Sequence, residues 1–570
     1  MTLKAAAGAW LALSIVMAAS NFSGAATNAT PNIVLITLDS TRADRMSFIG
    51  TKPSLTPNLD RTAGESMVFE HAYAQSPGSV VSHATILTGA YPQATGMSEI
   101  GGTLPATLPY LPELLKAKGY HTAAFLNSAR LDARSGLAQG FDRGFGTYDS
   151  GLPAVSGNKQ SPRAEAGRED VVRRALAWLE QNKQAQFFLW IHLGDSRTAG
   201  AAYNSSIQSS DAAVGKIIAA LHPVYDKTAV IIVAAEGESL GAHGEDTHGI
   251  FLYDETIHVP LILKLPLTQA ESKPRAGRVS AKARLVDIAP SILEIAGAPV
   301  PSQMPGQSLL RIAKSGTDQP VFSQSDLPQR GFGWSPLESW RASKYLYIRA
   351  PHPELYDLSV DPGATHNLAQ SSKATLDTMA SQLDQFDRHF SGDAAKKSSE
   401  LSSSEMQKLA SLGYIGLQKT SGTGGAVAGI DPKEKDKIAI ANKVIAASML
   451  PQPKPEMTIA VLSPIVAADP NIFLAQYGLG VALERKKDYA DAVKHLHKAI
   501  ELQPDSAWAH YEMGNTLLKT GDFKTAITHL EIAAERLPNC DGAHLALAEA
   551  YGHTGRADDA KRERGKAGQK

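Results

Sequence analysis

Residues 76–89 read Ser76-Pro77-Gly78-Ser79-Val80-Val81-Ser82-His83-Ala84-Thr85-Ile86-Leu87-Thr88-Gly89, and Tyr91-Pro92 closes the stretch. It carries hydroxyls at Ser79 and Ser82 and an imidazole at His83, and its meaning depends on its surroundings. Upstream, Asn32–Leu38 is a continuous apolar run with branched residues, which reads as a strand buried on both faces of a parallel sheet. Phe187–Ile191, Ala229–Val233 and Val259–Leu263 are similar runs, and Pro260 marks the last as a strand start or an edge. Helical patterns lie between them: Leu108–Lys118, stopped by Gly119, then Ala164–Asn182 and Ser206–Leu221. Strands alternating with helices imply an α/β unit with a mostly parallel sheet covered on both faces. Such sheets gather functional residues at the carboxyl ends of their strands, which is where Asp39 falls. Alone, an aspartate there is simply a helix cap.

At 570 residues the chain is too long for one core, so two or three folding units are expected. Lys+Arg total 56 against 57 for Asp+Glu, a balance that gives no support to a nucleic-acid partner or a polybasic membrane contact. The one cysteine, Cys540, excludes an internal disulfide and reads as a packing residue in a helix. Lys4, the apolar Ala5–Ala19 and the small residues Ser23–Ala26 read as an export signal over residues 1–26. This places the mature chain in a periplasmic or extracellular setting without a transmembrane span; left uncleaved, the segment would be an anchor.

Composition shifts to linker type over residues 391–435, around Lys396-Lys397-Ser398-Ser399 and Thr420–Gly425, with Leu409–Leu417 as a piece able to dock. Beyond it Pro470, Pro504 and Pro538 recur every 34 residues, with Gly480 and Gly514, Ala492, Ala526 and Ala560, and Ala499 and Ala533 in phase. This pattern resembles the tetratricopeptide repeat, which implies an all-α solenoid over residues 436–570 and a protein partner on its concave face.

A third informative stretch, Glu236–Gly249, follows the strand Ala229–Val233 and is rich in Glu, Asp and His, residue types of a metal or phosphoester site. Together these pieces resemble the sulfatase family of the alkaline phosphatase superfamily. Ser79 takes the position of the nucleophile, Ser82 that of the fixed serine, and Leu87-Thr88-Gly89 the end of the signature. Thr56–Asp60, Gly119-Tyr120, Gly140–Asp142, Tyr253–Glu255, Val286–Pro290 and Glu354–Leu358 extend the likeness to about residue 370. The resemblance implies an alkaline-phosphatase-like mixed, mostly parallel sheet between helices over residues 27–390, with a small C-terminal α+β subdomain. It also implies cleavage of a sulfate or phosphate ester with a divalent cation, calcium first and magnesium or manganese as alternatives, held by Asp39, Ser79 and Glu236. Ser79 would act as nucleophile, either as formylglycine or as an unmodified alcohol. His83, His243 and His248 would orient the ester or protonate its leaving group, and Asn127 and Arg197 would contact the substrate. The chain departs from the pattern at Val81 for proline, at Ala235 for a metal-ligating aspartate, at Asn127 for lysine and at Ser196-Arg197 for Pro-His. Two other readings follow from those departures: a scaffold without catalysis that recruits a protein partner, and a phosphoester hydrolase or transferase.

Overall fold

The computed structural model describes residues 30–135, 137–152, 167–194, 201–267, 274–390, 402–411, 429–448 and 454–567. The expected export signal and residue Arg197 lie outside these. Nine strands form the main sheet: β1 (Asn32–Leu38), β2 (Met67–Tyr73), β3 (His121–Phe125), β4 (Thr147–Asp149), β5 (Phe187–Leu193), β6 (Thr228–Ala234), β7 (His258–Lys264), β8 (Gly277–Val279) and β9 (Ala283–Arg284). Their order is β4-β3-β5-β1-β6-β7-β2-β8, with β9 also on β2. From β4 to β6 all neighbours are parallel; β7 runs antiparallel to both β6 and β2. β1, β5 and β6 are buried at every residue, which is why they read as unbroken apolar runs rather than as alternating patterns.

Pro260 corrects one expectation. β7 is an interior strand, not an edge. Its pairing with β2 shifts register between Phe69 and Ala72, and its pairing with β6 begins only at Leu261. The proline therefore stands where the ladder is already broken on one side and not yet started on the other, so its missing N–H costs little.

A second sheet, β10 (Val321–Ser325), β11 (Leu337–Ala342), β12 (Tyr345–Arg349) and β13 (Glu354–Asp357), is antiparallel throughout. The helix Lys373–Phe390 packs on it, enclosing a separate core of Phe322, Trp340, Tyr347, Leu355, Leu383 and Phe386 that also takes in Tyr91 and Val286. At the seam, buried Arg284 and Asp287 face each other through two side-chain bonds of 3.0 and 2.8 Å, and Arg284 Nη1 also donates to the Tyr91 hydroxyl at 3.1 Å.

The C-terminal region is helical. Its helices are α3 (Lys435–Ser448), α4 (Pro455–Ala468), α5 (Phe473–Arg485), α6 (Tyr489–Leu502), α7 (Ala507–Thr520), α8 (Phe523–Arg536), α9 (Asp541–His553) and α10 (Ala557–Lys566), preceded in the chain by α1 (Ser79–Thr88) on the main sheet and α2 (Ser403–Ser411). The 34-residue phase is explained by contact: a Cβ on Gly480 would lie 2.7 Å from Leu496 Cγ, and one on Gly514 would lie 2.4 Å from Leu530 Cγ. Cys540 stands at the N-cap of α9, half-buried, not inside a helix. Helix α2 forms within the expected linker and docks on the array. Glu405 pairs with Arg536, Lys408 with Glu531 at 3.2 Å, and Leu409 is fully buried.

A polar ladder repeats through the array. Gln476, His510 and His544 each bond the carbonyl of the proline six residues earlier, and each meets a residue 19 positions on: His495, His529 and Glu563. In the middle rung a carbonyl can only accept, so His510 Nε2 carries the proton, and His510 Nδ1 accepts from His529 Nδ1–H at 2.9 Å. Burial pushes His510 down to about 4 and His529 well below the usual imidazole range. The folded state thus holds neutral histidines that the unfolded chain protonates below its pKa of about 6.5. Stability from this rung is complete above about pH 6.5 and falls as pH drops toward 4, by on the order of 3 kcal/mol. Thermal melts between pH 7 and 4.5 should show the array loosening first in acid. His510→Gln, which copies Gln476 of the preceding repeat, should blunt that response; an unchanged acid response in the variant would remove this explanation.

Candidate active site

Asp39 follows β1 directly, and Ser79 opens α1, whose end at Gly89 takes the left-handed φ of 61° with its N–H on Thr85 O. The Ser79 hydroxyl donates to Asp39 Oδ1 at 2.9 Å, so the expected nucleophile and carboxylate meet across 40 residues. Ser40 holds a positive φ of 47°, a conformation costing about 1 kcal/mol or more for a non-glycine residue. It is fixed there by its N–H on Glu236 Oε1 at 2.9 Å and by its carbonyl, which accepts from the Tyr203 hydroxyl at 2.8 Å. Glu236 enters from just beyond β6 and is fully buried, with Oε2 lacking a donor among the described residues.

Asp39 and Glu236 form a close carboxyl pair. Burial, then the neighbouring Asp39 charge, drives Glu236 well above the usual carboxylate range. Burial acts on Asp39 in the same direction, but the protonated Glu236 beside it and then the imidazoles of His192, His248 and His83 outweigh it and hold Asp39 below its ordinary value. One proton, or one cation, therefore serves two carboxyl groups. Among the described residues, no set of three or more His, Cys, Asp or Glu side chains surrounds a common point. The donor set is two carboxylates and one hydroxyl, with Ala235 fully buried beside them. A hard cation suits these oxygens, and the orphaned Glu236 Oε2 gives it a buried ligand; water and substrate would complete its shell.

Behind Ser79 lies a network only partly anticipated. His83 Nδ1 is 2.7 Å from Ser79 O and must donate to it. Burial holds His83 down, so its Nε2 is bare and accepts from Thr37 Oγ1 at 3.1 Å. Thr37 Oγ1 receives Trp190 Nε1–H at 2.9 Å and, on its remaining lone pair, His192 Nδ1–H at 3.0 Å. His83 is thus a positioning group under α1, fully buried and with both nitrogens committed. His192, pushed down to about 3 by burial and then by His83, keeps a bare, buried Nε2 without a donor among the described residues. A histidine within the apolar run Phe187–Leu193 was the signal for it. Glu99 gave no signal. Its carboxylate accepts from Val80 and Val81 N–H at 3.0 and 3.3 Å and is paired with Arg130. A Cβ on Gly78 would fall 2.4 Å from that carboxyl group, so a larger residue just before Ser79 would have to displace the Glu99 side chain.

The remaining expected residues divide. His248 is buried with Nδ1 donating to Glu238 Oε2 at 3.1 Å. His243 has a φ of 53° and stacks on Tyr253, with ring centroids 3.6 Å apart. Asn127 does not reach outward: its Oδ1 accepts Gly194 N–H at 2.6 Å and its Nδ2 donates to Gly194 O at 3.2 Å, so the amide is spent on clamping the end of β5. The buried Glu245 accepts Ile250 and Phe251 N–H and is pushed up by burial to about 8.

Comparison with known proteins bears on this arrangement. The sulfatase family profile matches residues 31–298, and that of the N-sulphoglucosamine sulphohydrolase C-terminal region matches residues 244–389. Tetratricopeptide repeat profiles match residues 480–521 and 511–561. The ulvan-active sulfatase of Formosa agariphila is 25% identical over 412 residues, spanning 62% of this chain and 80% of the relative. The dog N-acetylgalactosamine-6-sulfatase is 28% identical over 388 residues, spanning 56% and 73%. Among solved structures, a 2-O GAG sulfatase superposes with a TM-score of 0.51 at 19% identity, covering 64% of this chain and 93% of its own. The phosphonate monoester hydrolase of Agrobacterium radiobacter gives 0.51 at 18%, covering 66% and 98%. With the mostly parallel main sheet, the small antiparallel sheet and Ser79 at the head of α1, residues 31–389 belong to the sulfatase family, joined in the same chain to tetratricopeptide repeats.

Proposed function

We propose that the chain hydrolyses sulfate esters, of the sulfated-glycan kind named for its relatives, with a divalent cation held by Asp39, Glu236 and the Ser79 oxygen. The observation carrying this reading is the 2.9 Å bond from Ser79 Oγ to Asp39 Oδ1 beside a second buried carboxyl group with an orphaned oxygen. Calcium, magnesium or manganese there would neutralise the carboxyl pair and supply Lewis-acid polarisation of the ester. Ser79, as formylglycine or as the alcohol, is placed for attack, with Asp39 orienting its hydroxyl. His248, fixed through Nδ1 by Glu238, keeps Nε2 for the departing oxygen. His83 and Thr37 hold the backbone of Ser79 from behind.

A phosphoester substrate is the second class, supported by the likeness to the phosphonate monoester hydrolase and by Ser79 as a plain alcohol. Ala235 supports a third reading, a non-catalytic scaffold recruiting a protein partner through the repeats, since alanine cannot ligate a cation. Turnover of paired aryl sulfate and aryl phosphate substrates, with and without added cations, separates the three. The expected result is cation-dependent sulfate release, lost in Ser79→Ala. Intact mass of the Ser79 peptide reports formylglycine as a loss of about two mass units. No turnover of either ester under saturating calcium, magnesium and manganese would leave the scaffold.

A further inference from the structure

We infer that the entry to the helical array, Asp431 to Asn442, is a working part of the candidate active site: it holds the loop that carries His243 and His248. The inference rests on reading that loop as catalytic, and its main support is geometric. The side-chain amide of Asn442, on α3, reaches the loop with both ends. Nδ2 donates to Gly244 O at 2.8 Å, and Oδ1 accepts Asp246 N–H at 3.1 Å. The two bonds bracket Glu245, whose own backbone N–H returns to Ala242 O and whose carboxylate ties down Ile250 and Phe251. One helical turn earlier on α3, Ile438 Cγ2 lies 3.5 Å from where a Cβ on Gly244 would stand, so the apolar face of the helix closes on the same turn.

A second route reaches the loop independently. Lys433 Nζ pairs with Glu354 Oε1 at 2.7 Å, and Glu354 Oε2 accepts the Tyr253 hydroxyl at 2.8 Å. Tyr253 then stacks flat on the His243 ring, 16° from parallel. Lys433 is itself set by Asp431, whose carboxylate accepts its N–H at 3.0 Å and the N–H of His352 at 3.1 Å. His243 occupies left-handed backbone at φ 53°, a conformation an L-residue leaves unless its surroundings hold it. Those surroundings are Tyr253 on one side and, through Asn442, the array on the other.

The array cannot swing away without breaking these ties. Arg330 pairs with Asp505 at 3.1 Å, Gln139 Nε2 donates to Arg536 O at 2.7 Å, and Leu474 sits on Gly331. A protein bound to the repeats therefore acts on a body that grips the active-site loop, and Asn442 is a positioning residue for His243 and His248.

The test uses the full-length chain. Asn442→Ala and Lys433→Met are compared with wild type by hydrogen exchange and by hydrolysis of the ester that wild type turns over. Exchange across Gly241–His248 should quicken roughly tenfold in either variant, as expected for losing one or two hydrogen bonds, while the amides of α5 to α9 keep their protection. Asn442→Asp, which retains the acceptor for Asp246 N–H and loses the donor to Gly244 O, should fall between. With hydrolysis, kcat should drop with little change in KM, because the loop is placed for the reaction rather than for binding. Lys498→Ala, on an exposed pair with Glu501, is the control that should change neither readout. Unchanged loop exchange in both Asn442→Ala and Lys433→Met overturns the inference. Quickened exchange in a protein that hydrolyses nothing upholds the grip and overturns the hydrolase reading instead.

Discussion

Asp39→Asn should lower ester turnover by about three orders of magnitude, a loss typical of removing one electrostatic element from a preorganised site. The substitution keeps the shape and an oxygen able to accept from Ser79 Oγ, so the geometry at 2.9 Å can persist. What goes is the anionic charge. Burial, and then the ionised Asp39 beside it, keeps the proton on Glu236. With an amide in place of the Asp39 carboxylate, only Glu236 remains to ligate as an anion, and a single carboxylate is a poor hold on a hard cation. Calorimetric titration with calcium should show binding in wild type and none in the variant. Turnover within threefold of wild type would exclude Asp39 from the reaction.

The second large effect concerns stability. Asp287→Ala should cost about 3–5 kcal/mol, the usual cost of removing one member of a buried ion pair. Asp287 is fully buried and Arg284 8% exposed, so the orphaned guanidinium could not find water in place. The carboxylate also accepts Arg284 N–H at 2.9 Å and Gln307 N–H at 2.8 Å, leaving two backbone groups unpaired as well. Through Tyr91 the defect reaches the aromatic core around Phe322 and Phe386, so the small antiparallel sheet should loosen before the main one. Denaturant titration of wild type and variant gives the difference directly. A change under about 1 kcal/mol would mean the pair is not holding the seam.

Much of this was legible in the chain itself. β1, β5 and β6 read as buried strands because parallel strands covered on both faces have no polar side to show. The 34-residue phase of Pro, Gly and Ala was readable in part because the phased glycines Gly480 and Gly514 each answer a fixed leucine, Leu496 or Leu530. Ser79 and Asp39 were readable because a strand end and a signature segment both pointed to one place. Side-chain commitment was harder to see. Asn127 looked outward in sequence and is spent on Gly194, and His83 looked catalytic yet lies beneath the helix with both nitrogens bonded. Glu99, 20 residues beyond Ser79, is brought to Val80 N–H only by tertiary folding, and no local pattern announces it. The grip of Asn442 on Gly244 spans 198 positions and two regions that read as separate units.

The place of β1 in the sheet has a bearing on how the chain reaches this state. β1 is an early strand yet a central one: Ile33 pairs with Phe188 on one side and Ala229 on the other. Neither neighbour exists during synthesis until most of β5 and β6 has left the ribosome, and closing such long loops is the slow part of forming a parallel sheet. For that interval the mostly apolar seven-residue run has no native partner to cover it. Keeping Asn32–Leu38 from pairing with a second nascent chain is thus the main kinetic hazard of producing this protein. A chain truncated before β6 should aggregate, whereas the repeats, whose contacts are local, have no comparable delay.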